Sequence, residues 1–172
     1  MRARAKFGRP VVVLLLALAA LPATVRAQTV FTANAGMPER IEIVAACSVS
    51  AADLNFGPYL SNSTTAVFGQ TAISLHCGSG QTAELSLDAG SGLGGNTNSR
   101  RMEQDGGSDR LDYGLFQDPG RTIHWGDRSG TDTLEVQTTG ALQTIPIYGK
   151  IYEGQRVRDG TYSDTITLRV IY

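Results

Sequence analysis

Cysteine, histidine and tryptophan are scarce in this chain: 172 residues hold two cysteines, two histidines and one tryptophan. A structural zinc site takes about four Cys and His ligands at short spacing. The only neighbouring pair is His76-Cys77, and two ligands make a poor site. Charge of one sign is missing as well. The formal net charge is -1, without the basic excess that a nucleic-acid or anionic-membrane surface needs. Stretches with a helical apolar stripe and caps are lacking, and there is no internal repeat of the length that builds solenoids. Long apolar runs are limited to one, "VVVLLLALAALPA" near the start, shorter than the roughly 20 residues of a comfortable membrane span. Glycine, by contrast, is plentiful at 20 residues, which points to many turns and little helix.

That apolar run follows Arg2, Arg4, Lys6 and Arg9 and precedes small residues at Val25 and Ala27. Basic start, apolar core and small-residue cleavage site together read as an export signal over 1–27. The alternative is a retained membrane anchor. The mature chain is expected to run from Gln28 to Tyr172 and to be exported. In an oxidising compartment Cys47 and Cys77 read as a disulfide. It closes 30 positions (77 − 47), for roughly 3–4 kcal/mol in the chain-entropy model.

The mature chain reads as short strands between turn clusters. "RIEIVAACSV" places Ile41, Ile43, Ala45 and Cys47 on one face, and "TAELSL" does the same for Ala83, Leu85 and Leu87. "AISLHC", "RRME", "LDYGLFQ" (Leu111, Tyr113 and Leu115 together), "TLEVQT" and "IPIYGKIY" are further strand candidates. Pro146 in the last of these demotes it to an edge or a bulge. "GSGLGGNTNS", "QDGGSD", "DPG" and "EGQRVRDG" are turns by composition. The final stretch, "GTYSDTITLRVIY", alternates Ile166, Leu168, Val170 and Tyr172 against Thr165, Thr167, Arg169 and Ile171, so it reads as a strand with one buried face. An unpaired apolar strand at a chain end templates aggregation unless something covers it. Near the other end, "QTVFTANAGMPERIEIV" keeps Phe31, Ala33, Ala35 and Met37 in step before Pro38 interrupts. This suggests a short extended arm over 28–38 ahead of a domain spanning 39–172. The alternative is a loose terminus. Many short strands at regular turn spacing imply an all-β sandwich or barrel of immunoglobulin-like type.

Arrangements that carry catalysis are weak. His124 lies beside Trp125-Gly126-Asp127, where a turn histidine bonded to a neighbour is the simpler reading. No Gly-x-Ser-x-Gly elbow occurs. Asp105, Asp109, Asp127 and Asp132 offer carboxylates for calcium without the ligand spacing of an EF-hand loop. Trp125, Tyr113 and Phe116 could stack on a sugar, although aromatic core packing is the commoner fate. Arg100 and Arg101 read as a solvated edge that discourages stray pairing.

"CSVSAADLNFGPY", the second cysteine at Cys77, "RRM", "LDYGLFQD", "HWGD", "IPIYGKIYEGQ" and "GTYSDTITLRVIY" together resemble the spore coat protein U domain family in order and spacing. Arg128 and Lys150 depart from residues common there, and "MPER" breaks the arm. The resemblance implies an incomplete immunoglobulin-like sandwich that lacks its last strand, as in subunits of archaic chaperone–usher pili. It implies a periplasmic pilus chaperone that lends a strand, an outer-membrane usher, and neighbouring subunits whose arms replace the lent strand. From the weak catalytic arrangements and the near-neutral charge, no cofactor, no enzymatic activity and no nucleic-acid partner are expected. Phe31, Ala33, Ala35 and Met37 would be the donor residues, and Ile166, Leu168, Val170 and Tyr172 the strand beside the groove. Such a protein would pass through the periplasm to a surface fimbrium and support adhesion and biofilm formation. The competing expectation is a secreted coat or carbohydrate-binding module that closes its own fold with the arm.

Overall fold

The computed structural model describes residues 47–172. The export segment 1–27, the arm with Phe31, Ala33, Ala35 and Met37, and the strand face Ile41, Ile43 and Ala45 lie outside the described residues. Nine strands follow in order: β1 (Cys47–Ala51), β2 (Val67–Cys77), β3 (Thr82–Leu87), β4 (Arg100–Gln104), β5 (Arg110–Phe116), β6 (Leu134–Gln137), β7 (Gln143–Ile151), β8 (Tyr162–Ser163) and β9 (Leu168–Ile171). They form a six-stranded sheet ordered β1-β2-β7-β5-β4-β8 and a three-stranded sheet ordered β6-β3-β9. Every pairing is antiparallel. The architecture is an immunoglobulin-like β-sandwich, without helix among the described residues.

Period-2 alternation dictates which side chains meet between the sheets. Ile73 and Leu75 of β2, Leu111, Tyr113 and Leu115 of β5, and Ile145, Ile147 and Ile151 of β7 face Ala83, Leu85 and Leu87 of β3 in one buried cluster. Trp125, fully buried, closes part of the seam. Its backbone N–H donates to Leu115 O of the large sheet at 2.9 Å and its indole N–H to Leu85 O of the small sheet at 3.0 Å. Cys47 and Cys77 stand opposite each other in the β1–β2 ladder and are joined as a disulfide.

Two strand expectations need correction. β7 is an interior strand between β2 and β5, although it contains Pro146. Pro146 pairs with Ala72, whose carbonyl turns away to accept from Ala52 N–H. Pro146 N therefore points away from β2, toward a side where β5 has already stopped pairing, at Phe116 opposite Tyr148. No ladder bond is forfeited, which is the condition for proline in a sheet. The C-terminal stretch is also not one strand. Tyr162–Ser163 pair with β4 in the large sheet, and Leu168–Ile171 pair with β3 in the small one. Ile166 lies in the crossing between them, and Tyr172 lies past the strand and is exposed.

Candidate functional site

A cleft of about 900 Å3 opens between the extended stretch 51–59 and the crossing segment that leads into β9. Its floor is the sandwich interior: Leu111, Tyr113 and Leu115 of β5, Ile147 and Ile151 of β7, Met102 of β4 and Leu87 of β3. One rim contributes Leu54 and Phe56, and the other Val157, Tyr162, Ile166 and Leu168. The cleft is thus a part of the core that the described residues leave uncovered.

Strand geometry explains the opening. β9 pairs on one side with β3, from Glu84↔Ile171 to Leu87↔Leu168. Among the described residues no strand flanks its other side. The N–H of Thr167 donates toward Asp88 (2.9 Å), on the β3 side. By alternation, the amides of Leu168 and Val170 point to the open edge. Across the cleft, the chain leaves the β2 ladder after Ala52 and joins no strand until Val67.

Polar groups at the rims hold the cleft's shape. Asp88 accepts from Gly90 N–H at 3.0 Å as well as from Thr167. Asp164 accepts from the Ser91 N–H and hydroxyl, both at 2.8 Å, from Gly92 N–H at 3.2 Å, and from the Tyr113 hydroxyl at 2.7 Å. Gly90 has a φ of 84°, and a Cβ there would collide with the Asp164 carboxylate, so glycine is required. Burial, reinforced by the Asp164 carboxylate, pushes the Tyr113 phenol far above its ordinary range. For Asp88, burial acts to raise the carboxyl, but hydrogen bonds from Thr167 and Gly90 outweigh it and leave the pKa lowered.

The "RRM" motif is not a solvated edge. Arg100 is 0% exposed. Its guanidinium donates to the carbonyls of Asp88 (2.7 Å), Thr97 (2.9 Å), Leu87 (2.9 Å) and Trp125 (2.8 Å). It ties the loop after β3 to Trp125, with burial lowering its pKa against the pull of nearby Tyr113 and Asp88. Arg101, half-exposed, bonds Asp112 at 2.9 Å.

The remaining candidates disperse. Trp125, Tyr113 and Phe116 are 0%, 3% and 3% exposed, so they offer no sugar platform. His124 stacks on Phe116 with centroids 4.5 Å apart, and burial, with Arg100 nearby, lowers its pKa. Asp105 accepts from Ser163, Asp109 from Arg158 N–H, and Asp132 from Arg128. No cluster of three metal-ligating side chains forms among the described residues. Of the residues expected in the strand beside the groove, the structure brings Ile166 and Leu168 to the cleft, with Val170 packed against the core beside them. Leu54, Phe56, Met102, Val157 and Asp164 went unread as cleft residues. The two-residue spacing of Leu54 and Phe56 before Gly57 was the one available signal.

Residues 30–169 match the family described as Spore Coat Protein U domain. The chain is 34% identical to "Protein U" of Myxococcus xanthus over 156 residues, covering 82% of this chain and 86% of that protein. It is also similar to a chain in the crystal structure of the CsuC-CsuE chaperone-tip adhesion subunit pre-assembly complex, from archaic chaperone-usher Csu pili of Acinetobacter baumannii. That likeness has a TM-score of 0.55 at 24% identity, over 76% of this chain and 40% of the other. It is a likeness of fold, to a chain of which this one spans two-fifths.

Proposed function

This chain belongs to the Spore Coat Protein U domain family, and we propose that it is a structural subunit of a secreted surface pilus, assembled by exchange of strands between neighbouring copies. The observation that carries this reading is the core that the described residues leave uncovered, beside the edge of β9 that no described strand flanks. An inserted strand would restore both the missing backbone pairing and the missing apolar cover, the recognition mode in which main-chain bonds give affinity and alternate side chains give specificity.

The arm of a neighbouring subunit suits that role. Phe31, Ala33, Ala35 and Met37 recur at the strand period. Burying the phenylalanine and the methionine contributes about 1.5–3 kcal/mol each before ordering costs. A head-to-tail contact of this kind does not close on itself, so it propagates into a filament. During transit a periplasmic pilus chaperone fills the cleft, and an outer-membrane usher assembles the fibre, which supports adhesion and biofilm formation at the cell surface. On this reading the chain is a structural part of the fibre and not an enzyme.

The test is export of the mature chain together with a periplasmic pilus chaperone, with and without residues 28–37. The intact chain is expected to polymerise. The shortened chain is expected to keep its chaperone complex and form no polymer. Normal fibres after the deletion would contradict the donor assignment. A soluble monomer that folds without any helper and keeps its cleft closed to the arm peptide would point instead to a self-closed coat or carbohydrate-binding module.

A further inference from the structure

The cleft is not a uniform trough. Gly69 of β2 and Gly149 of β7 pair directly and face inward. Leu54 and Phe56 lie on this bare patch: a Cβ on Gly69 would meet Leu54 at 2.9 Å, and one on Gly149 would meet Phe56 at 2.6 Å and Leu54 at 2.7 Å. The Phe56 ring then meets the Tyr113 ring edge-on, with centroids 5.9 Å apart. Tyr113 in turn donates to Asp164 on the opposite rim at 2.7 Å. Phe56, Tyr113 and Asp164 therefore make a continuous bridge from one rim to the other across the floor.

The register locates this bridge along the cleft. Tyr113 is the middle inward residue of β5, between Leu111, which pairs with Met102, and Leu115, which pairs with Gly149. The sheets of a sandwich run within about 30° of each other, so a strand added beside β9 passes along β5. It crosses the Leu111 end and then the bridge, which reaches from Tyr113 to the Leu115 level because Phe56 lies on Gly149, the partner of Leu115.

Building on the strand-insertion reading above, we propose that Phe56, with Leu54 and Tyr113, forms a saddle that determines which strand the cleft accepts: small side chains over the saddle, large ones on either side. The chain's own arm has this pattern, with Phe31 and Met37 flanking Ala33 and Ala35. At about 3.3 Å per residue, Phe31 to Met37 spans about 20 Å and Leu111 to Leu115 about 13 Å, so the large residues reach beyond the saddle at both ends. The glycine pair lets the saddle be built from the 51–59 rim, because any larger residue there would displace Phe56 and Leu54.

The test uses the full exported chain, purified as its chaperone complex so that no neighbour's arm fills the cleft, and fluorescent peptides of residues 28–38. The native peptide is expected to bind, and an Ala33→Phe or Ala35→Phe peptide to bind about tenfold or more weakly, the scale of overfilling a packed site. On a Phe56→Ala chain the enlarged peptide should recover most of that loss. Leu54→Ala serves as a second widened chain, and Met102→Ala, which widens the cleft away from the saddle, should give no rescue. A Phe31→Ala peptide should lose affinity equally on all chains. Enlarged peptides that bind the unaltered chain as well as the native one does would overturn the proposal, whatever the variants' folding. So would a loss of the same size on Phe56→Ala and Leu54→Ala. Failure of the native peptide to bind any chain would instead remove the strand-insertion reading itself, and the saddle with it.

Discussion

The hydroxyl of Tyr113 donates to the carboxylate of Asp164 at 2.7 Å, linking the middle of β5 to the segment that carries the chain from β8 to β9. Asp164 also receives the backbone N–H groups of Ser91 and Gly92, so one carboxylate orders three parts of the chain. Replacing Tyr113 with Phe keeps the ring contact with Phe56 and removes only this bond. The expected loss is about 1.5–3 kcal/mol, the range for a hydrogen bond to a charged group. Urea unfolding of the disulfide-intact chain measures it, and an unchanged midpoint would argue against the link.

Arg100 holds four carbonyls from a fully buried position. Lysine cannot reproduce the guanidinium's fan of donors, so Arg100→Lys strands buried acceptors around a desolvated charge. The expected destabilisation is about 3 kcal/mol or more, as for breaking a buried charged network. The urea midpoint again reads the effect. A wild-type midpoint would mean that these bonds contribute little.

Acid should loosen the β9 rim. The Asp88 carboxyl is held below its ordinary value of 3.8, so the folded chain binds its proton less readily than the unfolded chain. The resulting stabilisation is complete above the ordinary value and is lost as the pH falls through the lower folded one. Unfolding free energy measured across that acid range should drop more steeply for wild type than for Asp88→Asn, which has no proton to bind there. Parallel curves would remove Asp88 from the account.

Gly149→Ala tests the bare patch from below. The added methyl would sit 2.6 Å from the Phe56 ring and 2.7 Å from Leu54. Overpacking of this kind costs about 1–3 kcal/mol. Thermal unfolding reads the cost, and a neutral result would mean that Phe56 is free to shift.

Most strands were legible because alternation is a direct image of burial. "TAELSL" gave β3 with Ala83, Leu85 and Leu87 all inward, and "LDYGLFQ" gave the inward face of β5. Pro146 misleads in the sequence, which shows a missing N–H without showing which way it points. The C-terminal stretch hid a change of sheet at 164–167, since both halves keep the same alternation. Arg100 went unread because only the fold gathers carbonyls from Leu87, Asp88, Thr97 and Trp125 around one site. The cleft itself was legible as a strand in need of cover. Its floor and its Phe56 rim were not, because they depend on Gly69 and Gly149 meeting across two distant strands.

The central claim is that the open edge of β9 receives a strand from a neighbour. Hydrogen exchange at the Leu168 and Val170 amides tests it most directly, comparing a chain lacking residues 28–37 before and after addition of the arm peptide 28–38. The account predicts that these two amides exchange freely at first and become protected only with the peptide, while Arg169 and Ile171, bonded toward β3, are protected throughout. Equal protection of Leu168 and Val170 with and without the peptide would contradict it.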